Sequence, residues 1–289
     1  MESICLKAYA KINIGLDILG KRADGYHEIR TIMQQVPLSD GIRLRKNMAG
    51  GIRLSCTRSD IPEDESNLAW KAASLFCKTF GFKESVDIEL EKRIPAEAGM
   101  GGGSADAAAV LKGMKALYAP DIEERELMKL GAKLGADIPY CIAGGTALCE
   151  GIGERISPLG GFPKSYALIL KPNLRISTKE VYRNLSMEEI SRRGHADIDA
   201  LISCIEAQDL CRLGSKLKNV LEYGVSKTYP LIEELKENLL ERGALGSSMS
   251  GSGSAVFGLF KEEGIAQSCR EAIEAKAGKK IEKSFLVSL

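Results

Sequence analysis

Residues 100–114 read MGGGSADAAAVLKGM: three glycines in succession, a serine, then alanines running into apolar residues. Ala107, Leu111, Met114 and Leu117 recur at intervals of three and four, which predicts a helix beginning near Ser104. Consecutive glycines tolerate positive φ and let a ligand approach the backbone closely. A helix start presents unpaired N–H groups at the positive end of its dipole, so the two together form an anion site. Ser104 can cap the helix or turn its hydroxyl toward a phosphate, and Asp106 suits the dipole. The same letters also describe a flexible loop ahead of a tightly packed alanine helix, and the stretch by itself does not choose between them.

Two other phosphate motifs do not fit. A G-x-G-x-x-G fingerprint starting at Gly99 meets Ser104 where its last glycine belongs, and one starting at Gly101 meets Asp106. A P-loop would need Ser or Thr after Gly15–Lys21, GLDILGK, and finds Arg22.

Working outward, KINIGLDI (11–18) alternates strictly, with Ile12, Ile14, Leu16 and Ile18 on one face and Lys11, Asn13, Gly15 and Asp17 on the other. That is the pattern of a half-buried strand, and on such a strand a lysine ordinarily faces solvent. Shorter alternations at 42–46, 51–55 and 86–91 predict further strands, separated by turns at Ser39-Asp40-Gly41 and Ala49-Gly50-Gly51. A helix is predicted over 67–80, with Asn67 as its N-cap, and a short one over 126–135. Small and turn-forming residues then fill 142–164, and SYALILKP (165–172) reads as a buried strand. The remainder predicts helices at 178–190, 197–220, 229–242 and 262–276, with strands at 255–260 and 284–289. Mixed helix and strand without strict alternation predicts an α+β layer fold, divided near residue 160.

Composition removes several function classes. Across 289 residues, 40 basic and 39 acidic side chains leave a net charge of +1, so no global field favours nucleic acid or an anionic membrane. Eight cysteines form no C-x-x-C pair and the two histidines, His27 and His195, lie far apart, which argues against structural zinc. No secretory signal or membrane-length apolar run occurs, so a cytoplasmic protein with reduced, mostly buried thiols is expected.

Three further features read weakly one at a time. LGSSMSGSGSAVFGLF (245–260) brings a second small-residue loop up to an apolar strand. GADIPYC (135–141) places Asp137 before Ile-Pro, where an extended break is expected, and DGYHE (24–28) is a turn carrying a tyrosine and a histidine.

In order and spacing these segments resemble the GHMP kinases. PAEAGMGGGSAD (95–106) is similar to that family's central ATP-binding motif and MSGSG (249–253) to its carboxyl-terminal one. AKIN (10–13), DGYH (24–27) and GADIP (135–139) resemble one branch, whose substrate is the cytidine diphosphate ester of methylerythritol, on a route to isoprenoid precursors. The resemblance spans nearly the whole chain. It implies a ribosomal protein S5-like domain over 1–160 and a ferredoxin-like domain over 161–289. It implies ATP held by Pro95, Gly99, Met100, Gly101, Gly102, Gly103, Ser104 and Ala105, with Asn67 at adenine. Mg2+ would bind mainly through ATP oxygens, aided by Ser104, without a dedicated metal site. Lys11 and Asp137 become the catalytic pair, and Asn13, Tyr26, His27 and Tyr182 the substrate contacts. The implied partners are small molecules acting on a monomer or homodimer. A homoserine- or mevalonate-type kinase would share both glycine loops but has no use for an aromatic clamp. A noncatalytic nucleotide sensor would keep the glycines and dispense with Lys11 and Asp137.

Overall fold

The structure, a computed structural model, describes residues 2–289. The order begins β1 (Ser3–Lys21), β2 (His27–Lys46), β3 (Gly51–Cys56), α1 (Leu68–Phe80), β4 (Ser85–Glu91), α2 (Gly102–Tyr118), α3 (Glu124–Ala132), α4 (Ile138–Ala143), β5 (Thr146–Gly151) and β6 (Arg155–Pro158). It continues β7 (Tyr166–Pro172), α5 (Thr178–Arg183), α6 (Met187–Arg193), α7 (Ile198–Glu206), α8 (Leu210–Ser215), β8 (Lys218–Asn219), α9 (Glu222–Thr228) and α10 (Leu231–Glu241). β9 (Gly246–Met249), β10 (Val256–Phe260), α11 (Glu263–Ala277) and β11 (Ile281–Ser288) complete it. The α+β reading of the sequence holds.

Two sheets organise these elements. The first runs β3-β4-β2-β1-β8, and β5 with β6 extends it along β2. β2 is long enough to pair β4 through Gly41–Lys46 and β5 through Ile29–Gln34, so one strand serves two neighbours. The second sheet, β11-β7-β10-β9, is antiparallel throughout. All its strands follow residue 160; β8 alone returns from the second half to the first sheet, pairing Gly15 with Lys218 and Leu16 with Asn219. α2 lies on the first sheet with Leu111 and Met114 fully buried, each contributing roughly 1.5–3 kcal/mol of apolar burial.

The architecture departs from the sequence reading at several points, each for a tertiary reason. β1 is buried on both faces: Ile12, Ile14, Leu16 and Ile18 as expected, but Lys11, Asn13 and Asp17 also, at 4%, 1% and 4% exposure. Chain from the second half covers the polar face, with Ser250 reaching Asn13 and Ile198 and Leu201 of α7 closing on Gly15. The turn expected at Ser39-Asp40-Gly41 is instead interior to β2, because Asp40, fully buried, accepts the backbone N–H groups of Arg93 and Ile94. The small-residue tract 142–164 contains the hairpin β5–β6, paired from Ala147–Pro158 to Glu150–Arg155. The helix expected over 178–190 splits where Asn184 closes α5 and Ser186, accepting from Glu189 N–H, caps α6. That over 197–220 splits at Gln208, whose φ is +55°, with Asp209 capping α8.

Asn219 fixes how the halves meet. Its side-chain amide, 1% exposed, donates to Met249 O and Gly251 O, both at 2.8 Å, and its Oδ1 accepts Leu221 N–H at 3.0 Å. Asn219→Ala orphans three backbone groups away from water, and a loss of about 2–4 kcal/mol of unfolding free energy is expected in urea denaturation. A loss under about 0.5 kcal/mol would show that the loop is held by other means.

Candidate active site

Register shifts between Tyr9 and Lys11 and between Asn13 and Gly15 interrupt the β1–β2 ladder on both sides of the Lys11–Asn13 pair. Irregularities of this kind re-aim side chains beside functional sites. The Lys11 ammonium donates to Asn13 Oδ1 at 2.6 Å and to Gly99 O at 2.9 Å, and stands 3.6 Å from Asp137 Oδ2. Asn13 Nδ2 donates to Thr31 Oγ1 at 2.9 Å, and Thr31 in turn donates to Gly15 O, which locks the Asn13 amide with its oxygen toward Lys11.

Asp137 is helical, at φ −81° and ψ −14°, and immediately precedes α4. The extended break expected there is absent because Pro139 falls in the first turn of a helix, where a missing N–H costs nothing. The Asp137 carboxylate makes no capping bond and is one-third exposed, so it faces the cavity free of structural duty.

The glycine run forms the facing wall. α2 begins at Gly102, two residues earlier than its apolar period suggests, and Gly101 is the N-cap in the left-handed region at φ +72°. No side chain caps this end, so the first-turn N–H groups are presented to the cavity and Ser104 is left inside the turn with its hydroxyl uncommitted to capping. Gly99, at φ +69°, lies directly on the second small-residue loop: a Cβ there would stand 2.0 Å from Ser250 O. Gly99 O also accepts from Ser250 Oγ at 2.8 Å, and Ala98 O accepts Ala255 N–H at 3.1 Å. The two small-residue segments, 151 positions apart at the Gly99–Ser250 contact, are thus one back-to-back structure.

A cavity of about 1080 Å3 runs past these groups, and every site residue singled out in the sequence lines it except Ala105. The Ala105 N–H is bonded within the helix to Gly101 O at 2.8 Å, and its side chain is buried. Asn67 reaches the cavity, but its amide caps α1 through Ala69 N–H and holds Pro62 O at 2.7 Å, so it also shapes the wall. At the other end His27 lies against Tyr182, ring centroids 5.5 Å apart, and Tyr26 stands 60% exposed. A flat base between two rings needs about 7 Å of centroid separation, twice an optimal contact, so the His27–Tyr182 pair as it stands leaves no room for one; Tyr26 lines the same cavity. Burial, then the nearby Lys21 charge, lowers the His27 pKa; burial raises the Tyr182 hydroxyl.

Sequence reasoning missed Lys92, which lines the cavity between Asp40 and Asp106. Burial pushes Asp106 up to about 7, opposed by Lys92 and reinforced by Asp40. Asp106 therefore serves an ion cluster rather than the helix dipole. Nothing in EKRIP marks that lysine as internal. Among the described residues no three His, Cys, Asp or Glu side chains gather around a point that could hold a metal, and no helix is long and apolar enough to cross a membrane.

Family models match twice: GHMP kinases N terminal domain over residues 67–145 and GHMP kinases C terminal over residues 198–280. The chain is 47% identical to a 4-diphosphocytidyl-2-C-methyl-D-erythritol kinase of Clostridium novyi (strain NT), across 93% of this chain and 95% of that protein. It is 48% identical to the Clostridium perfringens (strain ATCC 13124) protein of the same name, across 94% and 93%. A crystal structure of 4-(cytidine 5'-diphospho)-2C-methyl-D-erythritol kinase superposes with a TM-score of 0.83 at 33% identity, covering 99% of this chain and 98% of that one. A homoserine kinase from Cytophaga hutchinsonii, 22% identical, shares the fold at a TM-score of 0.81 over 100% and 94%.

Proposed function

From the premise that this chain belongs to the GHMP kinases, we propose that it transfers the γ-phosphoryl group of ATP to the tertiary 2-hydroxyl of 4-diphosphocytidyl-2-C-methyl-D-erythritol, in the methylerythritol phosphate route to isoprenoid precursors. The observation that supports it most is spatial: Lys11 and Asp137, 3.6 Å apart, stand in one cavity with a helix start and aromatic side chains.

In this reading Asp137 accepts the hydroxyl proton as the substrate oxygen bonds to the γ-phosphorus and the bond to the β-phosphate oxygen breaks, releasing ADP. Phosphoryl transfer asks the protein chiefly for alignment and charge stabilisation. Lys11 stabilises the Asp137 carboxylate and the transferring group, and Asn13 orients the alcohol beside it. The Gly101–Ser104 segment receives the phosphates on its free N–H groups. The donor set suits Mg2+ bound chiefly through triphosphate oxygens, with the Ser104 hydroxyl as the protein's contribution; Mg2+ would neutralise phosphate charge. Tyr26 and Tyr182 hold the cytosine faces and His27 reads its edge.

Incubation with ATP and Mg2+ against three alcohols, with mass spectrometry of the products, tests the assignment. Phosphorylation of the cytidine ester is expected. Product from homoserine or mevalonate alone would reject it, and ATP binding without product from any of the three would favour a nucleotide sensor. Within the same assay, Tyr182→Ala is expected to raise KM for the ester by roughly 5- to 150-fold, the range of one lost base–aromatic contact of about 1–3 kcal/mol, leaving KM for ATP near its original value. Tyr182→Phe keeps the aromatic face and should be mild. Equal losses for both ligands would remove Tyr182 from the cytidine end.

A further inference from the structure

Beneath the glycine loop lies a buried ion cluster that the phosphoryl-transfer chemistry does not use. The Lys92 ammonium, its side chain 5% exposed, donates to Asp106 Oδ2 at 2.5 Å and to Asp40 Oδ2. Asp40 uses its other oxygen to accept the N–H groups of Arg93 and Ile94 at 2.5 and 2.8 Å. Asp106 Oδ1 is buried and has no hydrogen-bond partner among the described residues. One cation thus stands between two carboxylates, with one acceptor unsatisfied. As a purely stabilising device this is poor, because well-packed apolar side chains commonly do as well or better than a buried ion cluster.

Its location supplies a different reason. Lys92 lines the cavity, and a Cβ on Gly102 would stand 3.6 Å from the Lys92 Nζ. The ammonium therefore lies against the first residue of α2, at the end where no side chain caps the helix. Lys11, by contrast, is committed to Asn13, Gly99 O and Asp137.

We propose that Lys92 is a second cation of the nucleotide loop, a positioning residue whose charge, held under Gly102 by Asp40 and Asp106, adds to the field of the α2 N-terminus and so retains the phosphates of ATP. The proposal rests on the kinase reading only for ATP as the ligand. Asp106 is the tether, and its ionised form opposes the triphosphate. Lys92 and Asp106 therefore act on ATP with opposite signs although they are bonded to each other, which a merely structural ion pair would not do.

Calorimetric titration with ATP, without any alcohol present, separates the two roles. Asp106→Asn leaves Lys92 paired to Asp40 and is expected to bind ATP at least as tightly as the original protein. Lys92→Met combined with Asp106→Asn leaves Asp40 on its two backbone N–H groups and keeps the cluster's formal charge at −1. It is expected to bind ATP at least tenfold more weakly and to raise KM for ATP more than it lowers kcat. Lys92→Arg should restore binding to within a few fold. Original affinity in the folded double variant would overturn the proposal. So would weaker ATP binding by Asp106→Asn, and that single variant decides the matter if the double variant does not fold. Intact ATP binding with no turnover of the cytidine ester would count against the substrate assignment instead.

Discussion

Asp137→Asn is expected to bind ATP and the cytidine ester normally and to lower kcat by at least ~10²-fold, the low end of what a positioned acid–base group contributes. Asparagine is nearly isosteric, and the Asp137 side chain makes no capping bond, so the fold and cavity should survive the change. What disappears is a proton acceptor 3.6 Å from the Lys11 ammonium. Single-turnover kinetics with both substrates saturating would isolate that loss from binding. Lys11→Met is a different perturbation, because the ammonium also holds Asn13 and the Gly99 carbonyl. It should lower kcat and loosen ATP together. If the pair acts as a unit, the double variant will be scarcely slower than the worse single one; full additivity would assign them independent roles. Near-normal turnover by Asp137→Asn would eliminate it as the essential base.

Gly99→Ala is expected to be severely damaging, costing at least ~3 kcal/mol of stability and abolishing measurable ATP binding. A non-glycine residue at φ +69° pays about 1–2 kcal/mol for the left-handed backbone. The larger part is steric. The new methyl would sit 2.0 Å from Ser250 O and 2.9 Å from Ser250 C, both main-chain atoms, so no side-chain rotation relieves it. The two loops must part, and the bonds from Ser250 Oγ to Gly99 O and from Ala255 N–H to Ala98 O go with them. Gly103→Ala is the control: its φ is not left-handed and its Cβ would meet only Leu68, at an ordinary 3.5 Å. Urea denaturation and calorimetry on both variants test this. Wild-type stability in folded Gly99→Ala would mean the loops are not in contact.

The five glycines at 99 and 101–103 and 113 look alike in the sequence, and it is their surroundings that separate a seam between loops from a helix cap and a plain wall. The same division runs through the rest of the chain. Periodic features were legible because local burial enforces them: Ile12, Ile14, Leu16 and Ile18, the apolar face of α2, and the turn at DGYH all stand where the pattern puts them. Lys11 and Asn13 were legible as a pair on one face but not as buried, since what covers Asn13 arrives 237 residues later with Ser250. Asp40 looked like a turn residue because its partners, Lys92 and the amides of Arg93 and Ile94, are more than fifty positions away. Asn219 carries no local signal, being one asparagine between Lys218 and Val220. The chemistry at Lys11 and Asp137 came from resemblance, and their spatial meeting required the fold.

The pairing of β8 with β1 has a consequence for the order in which the chain can be made. Gly15 and Leu16 meet Lys218 and Asn219, so roughly 200 residues must leave the ribosome before that edge of the first sheet is closed. At about 5–20 residues per second the wait is on the order of 10–40 s, during which the open edge of β1 is exposed to pairing with other chains. A nascent chain halted before Lys218 would carry the glycine run, the lysine and the aspartate, yet lack the clasp that seats the second loop against them. Nucleotide capture should therefore begin late in synthesis, well after Lys11, the glycine run and Asp137 have all emerged.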